Sequence, residues 1–200
     1  MKLATFATVI SFALISAASQ AQITIYQDPG NFQDDENVLF NDPSLQQQGN
    51  LVQGRTNRQN WIVDFRSSSE LDATGGQAMI TEIKGRKSSF SDLSVEMHDA
   101  DKSFHTLIWN LNAEEDGEVT FTINHTGGVY TQTFNLDQNG ENWFRMHADA
   151  GTMLSASFQS SVGINDVKQV RLGAVPEPAT LLGLGLGAVA FLRRRNKKQI

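Results

Sequence analysis

The sequence predicts an all-β domain, a two-sheet antiparallel sandwich of jelly-roll type, set between two apolar terminal segments. Three observations lead there. Polar and apolar residues alternate in short runs, residues able to take positive φ punctuate those runs, and nothing between residues 22 and 172 keeps a helical period. A closed barrel is the alternative architecture. With 200 residues and no cysteine, the chain has room for one domain held by packing and strand pairing, without disulfides or thiolate metal sites.

At the N-terminus, Met1-Lys2 opens an apolar run through Leu3, Phe6, Val9, Ile10, Phe12, Leu14 and Ile15, which passes into Ala17, Ala18 and Ser19. A charged start, an apolar middle and small residues at the end make a secretory signal. Ser19-Gln20-Ala21 places small residues where a signal peptidase reads them, so residues 1–21 are expected to leave and Gln22 to begin the mature chain. The domain itself is expected over residues 22–173.

Within it, Leu93, Val95 and Met97 alternate with Asp92, Ser94 and Glu96, and Val119, Phe121 and Ile123 alternate with Thr120, Thr122 and Asn124. Each run has one wet and one dry face. Further strands are expected at 23–26, 61–65, 78–83, 104–109, 129–136, 143–148, 154–159 and 167–172. Asp116-Gly117, Gly127-Gly128, Asn139-Gly140 and Asp149-Ala150-Gly151 supply the turns, Asn139-Gly140 being the clearest hairpin signal. Residues 28–60, rich in Asn, Gln and Asp, read as long loops around short strands at 38–40 and 51–52, and loops are where binding groups gather.

At the C-terminus, Val175-Pro176-Glu177-Pro178 precedes an apolar stretch over 179–192 and the basic cluster Arg193-Arg194-Arg195-Asn196-Lys197-Lys198. Basic residues after an apolar stretch mark a cytoplasmic end. The stretch, expected as a short hydrophobic, transmembrane helix, is shorter than the roughly 20 residues of a full bilayer crossing, which suits a transient stop in export. The arrangement resembles the PEP-CTERM sorting signal of Gram-negative bacteria, here over residues 174–200. That resemblance implies export machinery and an exosortase as partners, transient inner-membrane insertion, and a destination at the cell surface or in the extracellular matrix. Pro176, Glu177 and Pro178 then stand at the recognition and processing element, with Arg193, Arg194 and Arg195 in the sorting end. Gly75-Gly76-Gln77-Ala78, the Asn142-Trp143-Phe144 run and the closing 166–171 segment are similar to the sandwich domain often found ahead of such tails, which supports the fold.

The terminal segments hold Lys2, five of the basic residues at 193–198, and Glu177, so of 16 basic and 22 acidic residues the middle keeps 10 and 21, a net of −11. Such a surface repels nucleic acid and anionic membranes and attracts divalent cations. His98, His105, His125 and His147 show no zinc spacing, and no Gly-x-Ser-x-Gly elbow occurs. Calcium is the one cofactor the sequence suggests, at Asp99 and Asp101 in a turn. Large residues are expected first in the core, as Trp61 with Val63 and Phe65 illustrates. Trp143, Arg145 and His147 share one face of a strand and are the candidate sugar-binding set, a ring to stack and planar polar groups to hold hydroxyls. Three functions follow in order: a noncatalytic surface or matrix protein associated with exopolysaccharide, a carbohydrate-binding module with an aromatic face, and a polysaccharide-active enzyme, the last requiring two facing carboxylates.

Overall fold

The computed structural model describes residues 22–28, 30, 35–73, 79–82, 89–138, 141–149 and 151–175. They form β1 (Ile23–Tyr26), β2 (Glu36–Leu39), β3 (Gln48–Thr56), β4 (Ile62–Asp72), β5 (Met79–Glu82), β6 (Phe90–Met97), β7 (Ser103–Ala113), β8 (Gly117–His125), β9 (Gly128–Leu136), β10 (Asn142–Ala148) and β11 (Met153–Val175). The signal segment, the apolar stretch at 179–192, the basic end and the Asn139-Gly140 turn lie outside the described residues.

β11 is the spine, and it belongs to both layers. Residues 153–160 pair with β6 on one side and β8 on the other, whereas residues 164–175 pair with β7, β2 and β5. A first layer therefore runs β9-β8-β11-β6-β4-β3, and a second runs β1-β10-β7-β11, extended by β2 and β5, with every pairing antiparallel. The strand changes partners around Gly163, whose missing side chain leaves room for the Ser89 hydroxyl and the Glu114 carboxylate. The two strands expected at 154–159 and 167–172 are thus halves of one 23-residue strand. A register break between Lys168 and Arg171 holds Gln169 at φ 53°, a bulge that bends the second half.

The layers meet through aromatic rings. Trp109 of β7 lies 5.9 Å from Phe121 of β8 and 5.4 Å from Phe158 of β11, and Phe144 of β10 lies 4.6 Å from Phe121. Each of these side chains is buried, and each contributes about 1.5–3 kcal/mol by leaving water. Val63, Phe65, Val95 and Ile123 extend the same core toward β3.

β3 is a nine-residue strand where the sequence suggested a short one in loops. Its inward positions are Val52, Gly54 and Thr56; Gly54 faces Val38 Cγ1 and Phe40 Cε1, and a Cβ at that position would come within 2.9 Å of the Phe40 ring. Turn 57–59, which returns β3 to β4, is fixed by the buried Glu36 carboxylate, which accepts the amides of Arg58 (2.8 Å) and Gln59 (2.9 Å).

Candidate functional site

Trp143, Arg145 and His147 stand on the outer side of β10, each half-buried, while Phe144 and Met146 point into the core. The alternation demands this, since successive side chains leave opposite faces. The three are engaged by neighbours. Trp143 Nε1 donates to Glu141 Oε2 (2.7 Å), His147 Nδ1 meets Thr106 Oγ1 (3.1 Å), and the His147 ring packs edge-on to His105 at 6.0 Å. The Arg145 guanidinium lies 5.6 Å over the Tyr26 ring and beneath Gly30, which holds φ +63° and where a Cβ would come within 2.8 Å of the guanidinium. Register explains the crowding. Tyr26, Arg145, Ile108, Arg171 and Asn37 form one row across β1, β10, β7, β11 and β2.

Asp99 and Asp101 occupy the turn from β6 to β7. Asp99 is bonded by Lys102, which holds its carboxyl below the usual range, with the Lys102 charge acting in the same direction. Among the described residues no group of three or more His, Asp or Glu side chains gathers where it would hold a metal ion. His125, by contrast, serves its own hairpin by accepting the Gly127 amide.

An array of polar side chains covers the outer face of the first layer. Strand register lays it out in rows: Asn124, Ser155, Glu96, Asp64 and Gln53 in one; Thr131, Thr122, Ser157, Ser94 and Arg66 in the next; Thr133, Thr120, Gln159 and Asp92 in a third. The intervening rows, with Ile123, Ala156, Val95 and Phe65, or Phe121, Phe158 and Leu93, are buried. A cavity of about 210 Å³ lies over the hydroxyl-rich part, lined by Asp92, Ser94, Thr120, Thr122, Ser157 and Gln159. A second, of about 430 Å³, opens over the charged end and is lined by Asp64, Arg66, Glu96, His98, Lys102 and Leu154.

Asp64 is the floor of the larger cavity. Its side chain is only 5 % exposed, and it accepts Gln53 Nε2 at 2.8 Å, Arg66 at 3.1 Å, and meets His98 Nδ1 with both oxygens at 3.2 Å. A buried carboxylate is tolerable only when partners satisfy it in this way. Arg66 also reaches Glu96 (3.3 Å), so one guanidinium sits between two facing carboxylates. Sequence reading found the alternation that exposes Asp92, Ser94 and Glu96 but not this cluster. His98 and Asp64 are 34 residues apart, and only the pairing of β4 with β6 brings them together.

The model of the PEP-CTERM protein-sorting motif matches residues 174–196. The chain thus carries a PEP-CTERM sorting signal: it is exported across the inner membrane and sorted to the cell surface or the extracellular space, with processing by an exosortase implied by the motif. No curated protein matches the chain. Among solved structures, a variant of a family 29 carbohydrate-binding module, at 12% identity, aligns over 76% of this chain and 92% of its own with a TM-score of 0.34. A family 29 module aligns over 80% of this chain and 97% of its own, again at 12% identity, with a TM-score of 0.33. A likeness of this size carries no weight for what the chain binds. Among the described residues no helix is long and apolar enough to cross a membrane.

Proposed function

We propose that the protein is a noncatalytic module of the cell surface or extracellular matrix that holds polysaccharide on the outer face of its first layer. The observation carrying this reading is the pair of cavities over three registered rows of hydroxyl, amide and charged side chains. Sugar hydroxyls both donate and accept, and such a face offers both kinds of partner at strand spacing: hydroxyls at Ser94, Thr122 and Ser157, amides at Gln53 and Gln159, and paired charges at Asp64 and Arg66. Aromatic rings are missing from these rows, so each contact is weak and retention comes from many sugar units along one chain. The sorting motif supports the reading by carrying the module to where extracellular polysaccharide lies.

The position of Arg66 supports a noncatalytic role. Its guanidinium fills the gap between Asp64 and Glu96 that an attacking water or a glycosidic oxygen would need. A second reading, stacking of a sugar on the β10 side, is favoured by one observation: Tyr26 is 46% exposed beside Arg145 and on the same layer as Trp143.

Affinity electrophoresis through gels containing a panel of acidic and neutral polysaccharides separates these. Ser157→Arg plants a bulky cation in the middle row and should weaken retardation at least about tenfold, about 1.4 kcal/mol, while Trp143→Ala leaves it unchanged. The opposite pattern would move the site to β10, and an unretarded wild type across the panel would refute polysaccharide binding altogether.

A further inference from the structure

β9 is an edge strand with an unusual lack of protection. Among the described strands it pairs with β8 alone, it runs nine residues, and its sequence, Gly128-Val129-Tyr130-Thr131-Gln132-Thr133-Phe134-Asn135-Leu136, contains neither a charge nor a proline. Edge strands in soluble proteins are ordinarily shortened, charged, bulged or covered, because a free row of backbone N–H and C=O groups pairs with any strand that reaches it. The opposite edge of the same layer follows that rule. There the β3 amide of Gln53 donates to Gln46 O at 2.7 Å, and residues 42–47 lie along the strand.

The direction of the free backbone groups follows from the hairpin. The Thr120 and Thr133 hydroxyls lie 2.9 Å apart, as expected of a non-hydrogen-bonded pair, in which opposed side chains approach most closely. Thr133, and at the same parity Val129, Thr131 and Asn135, therefore turn their backbone N–H and C=O away from β8. Asn135 O bears this out by accepting Gln27 Nε2 at 3.0 Å. At Val129, Thr131 and Thr133 no backbone partner occurs on that side among the described residues. Val129 is 67% exposed, and Tyr130 and Phe134 pack against the core yet stay partly open at this side of the sandwich.

We propose that β9 is the pairing edge for a second copy of this chain, the two β9 strands running antiparallel about Thr131. Two features select a second copy over an unrelated strand. An antiparallel pairing of one strand with itself closes under a two-fold axis, so a single edge completes the assembly. The domain also carries a net charge of −11, and this uncharged strand is a place where two such acidic bodies can approach without opposing like charges. In this register Val129 faces Thr133 of the second copy, the Thr131 residues face each other, and Asn135, already engaged by Gln27, stays at the margin. The first layers become one continuous sheet, and the polar rows described above run on from one copy into the next.

Sedimentation velocity of the exported protein over a range of concentrations, in mild detergent so that apolar termini do not associate, tests the proposal. The wild type should show a concentration-dependent monomer–dimer equilibrium. Thr131→Pro removes an N–H that makes no bond inside the monomer, and Thr131→Lys charges the edge; both should stay monomeric at unchanged thermal midpoint. In a Thr131→Cys variant, whose single thiol is the only one in a chain without cysteine, a short bismaleimide should join two copies at low protein concentration. A wild type that remains monomeric, or a dimer untouched by Thr131→Lys, overturns the proposal. So does exchange protection of the Thr131 and Thr133 amides in the monomer, which would place a segment of the same chain on the edge.

Discussion

Asn142 makes the connection from β9 to β10 through one side chain. Its Oδ1 accepts the Asp137 amide at 2.9 Å, and its Nδ2 donates to Leu111 O and Asp137 O, both at 3.0 Å, while the residue is 5% exposed. Truncation leaves the buried Leu111 carbonyl unmet and frees the Asp137 amide and carbonyl, so Asn142→Ala is expected to cost about 1–3 kcal/mol in urea unfolding. Asn142→Asp should cost at least as much, because it turns an acceptor toward two carbonyls. Trp109 presents the reverse case. Its ring is fully buried among Phe121 and Phe158, yet among the described residues its Nε1 finds no acceptor. Trp109→Phe gives up part of the ring and with it the orphaned donor, and should lie within about 1.5 kcal/mol of wild type, against about 3–5 kcal/mol for Trp109→Ala. A Phe variant as damaged as the Ala variant would show that the indole N–H has a partner after all.

At the scale of elements, the segment covering β3 depends on a carboxylate. Asp42 accepts the Ser44 hydroxyl (2.6 Å), then the Ser44 amide (3.0 Å), and is held by Arg55 at 2.8 Å; in that order these contacts keep its carboxyl below the usual range. A depressed folded-state value means that the stabilisation is complete above about pH 4, the ordinary Asp value, and is lost as pH falls through the lowered one. Amide exchange should therefore show Leu45 and Gln53 losing protection in acid before β7 and β8 do. In Asp42→Asn the same amides should be less protected at neutral pH and show no acid step. The contrast between this edge and the rest shows what a sequence can disclose. Alternation made β6, β8 and β10 legible, because each buries one face and wets the other. β3 escaped because its inward positions include Gly54, chosen for the space Val38 and Phe40 need rather than for hydrophobicity. β11 read as two strands because its exchange of partners at 160–164 interrupts the period without interrupting the chain. The Asp64 cluster was hidden for a different reason, since its members come from β3, β4 and the turn after β6 and meet only through register.

For the molecule as a whole, the spine strand ties the sandwich to its address. β11 continues to Val175, in register with Ser103, and Pro176 follows as the next residue. Pro176 and Pro178 have no N–H to extend a ladder, so strand pairing has a covalent reason to stop at Val175. A protease that acts on the Pro176-Glu177-Pro178 element then cuts beyond Val175, so the whole described ladder of β11 stays with the sandwich. Intact mass measurement of the cell-surface form should accordingly give a chain from Gln22 to a terminus near Glu177, lacking Arg193, Arg194 and Arg195. Replacing Pro176, Glu177 and Pro178 together by Ala should leave the basic end attached and the protein in the membrane fraction. The unfolding free energy of the sandwich should agree between processed and unprocessed forms within about 0.5 kcal/mol, the range of surface changes that disturb no packing. A surface form that keeps its basic end would refute the processing step, and a processed form markedly less stable than its precursor would mean that residues after Val175 hold the fold.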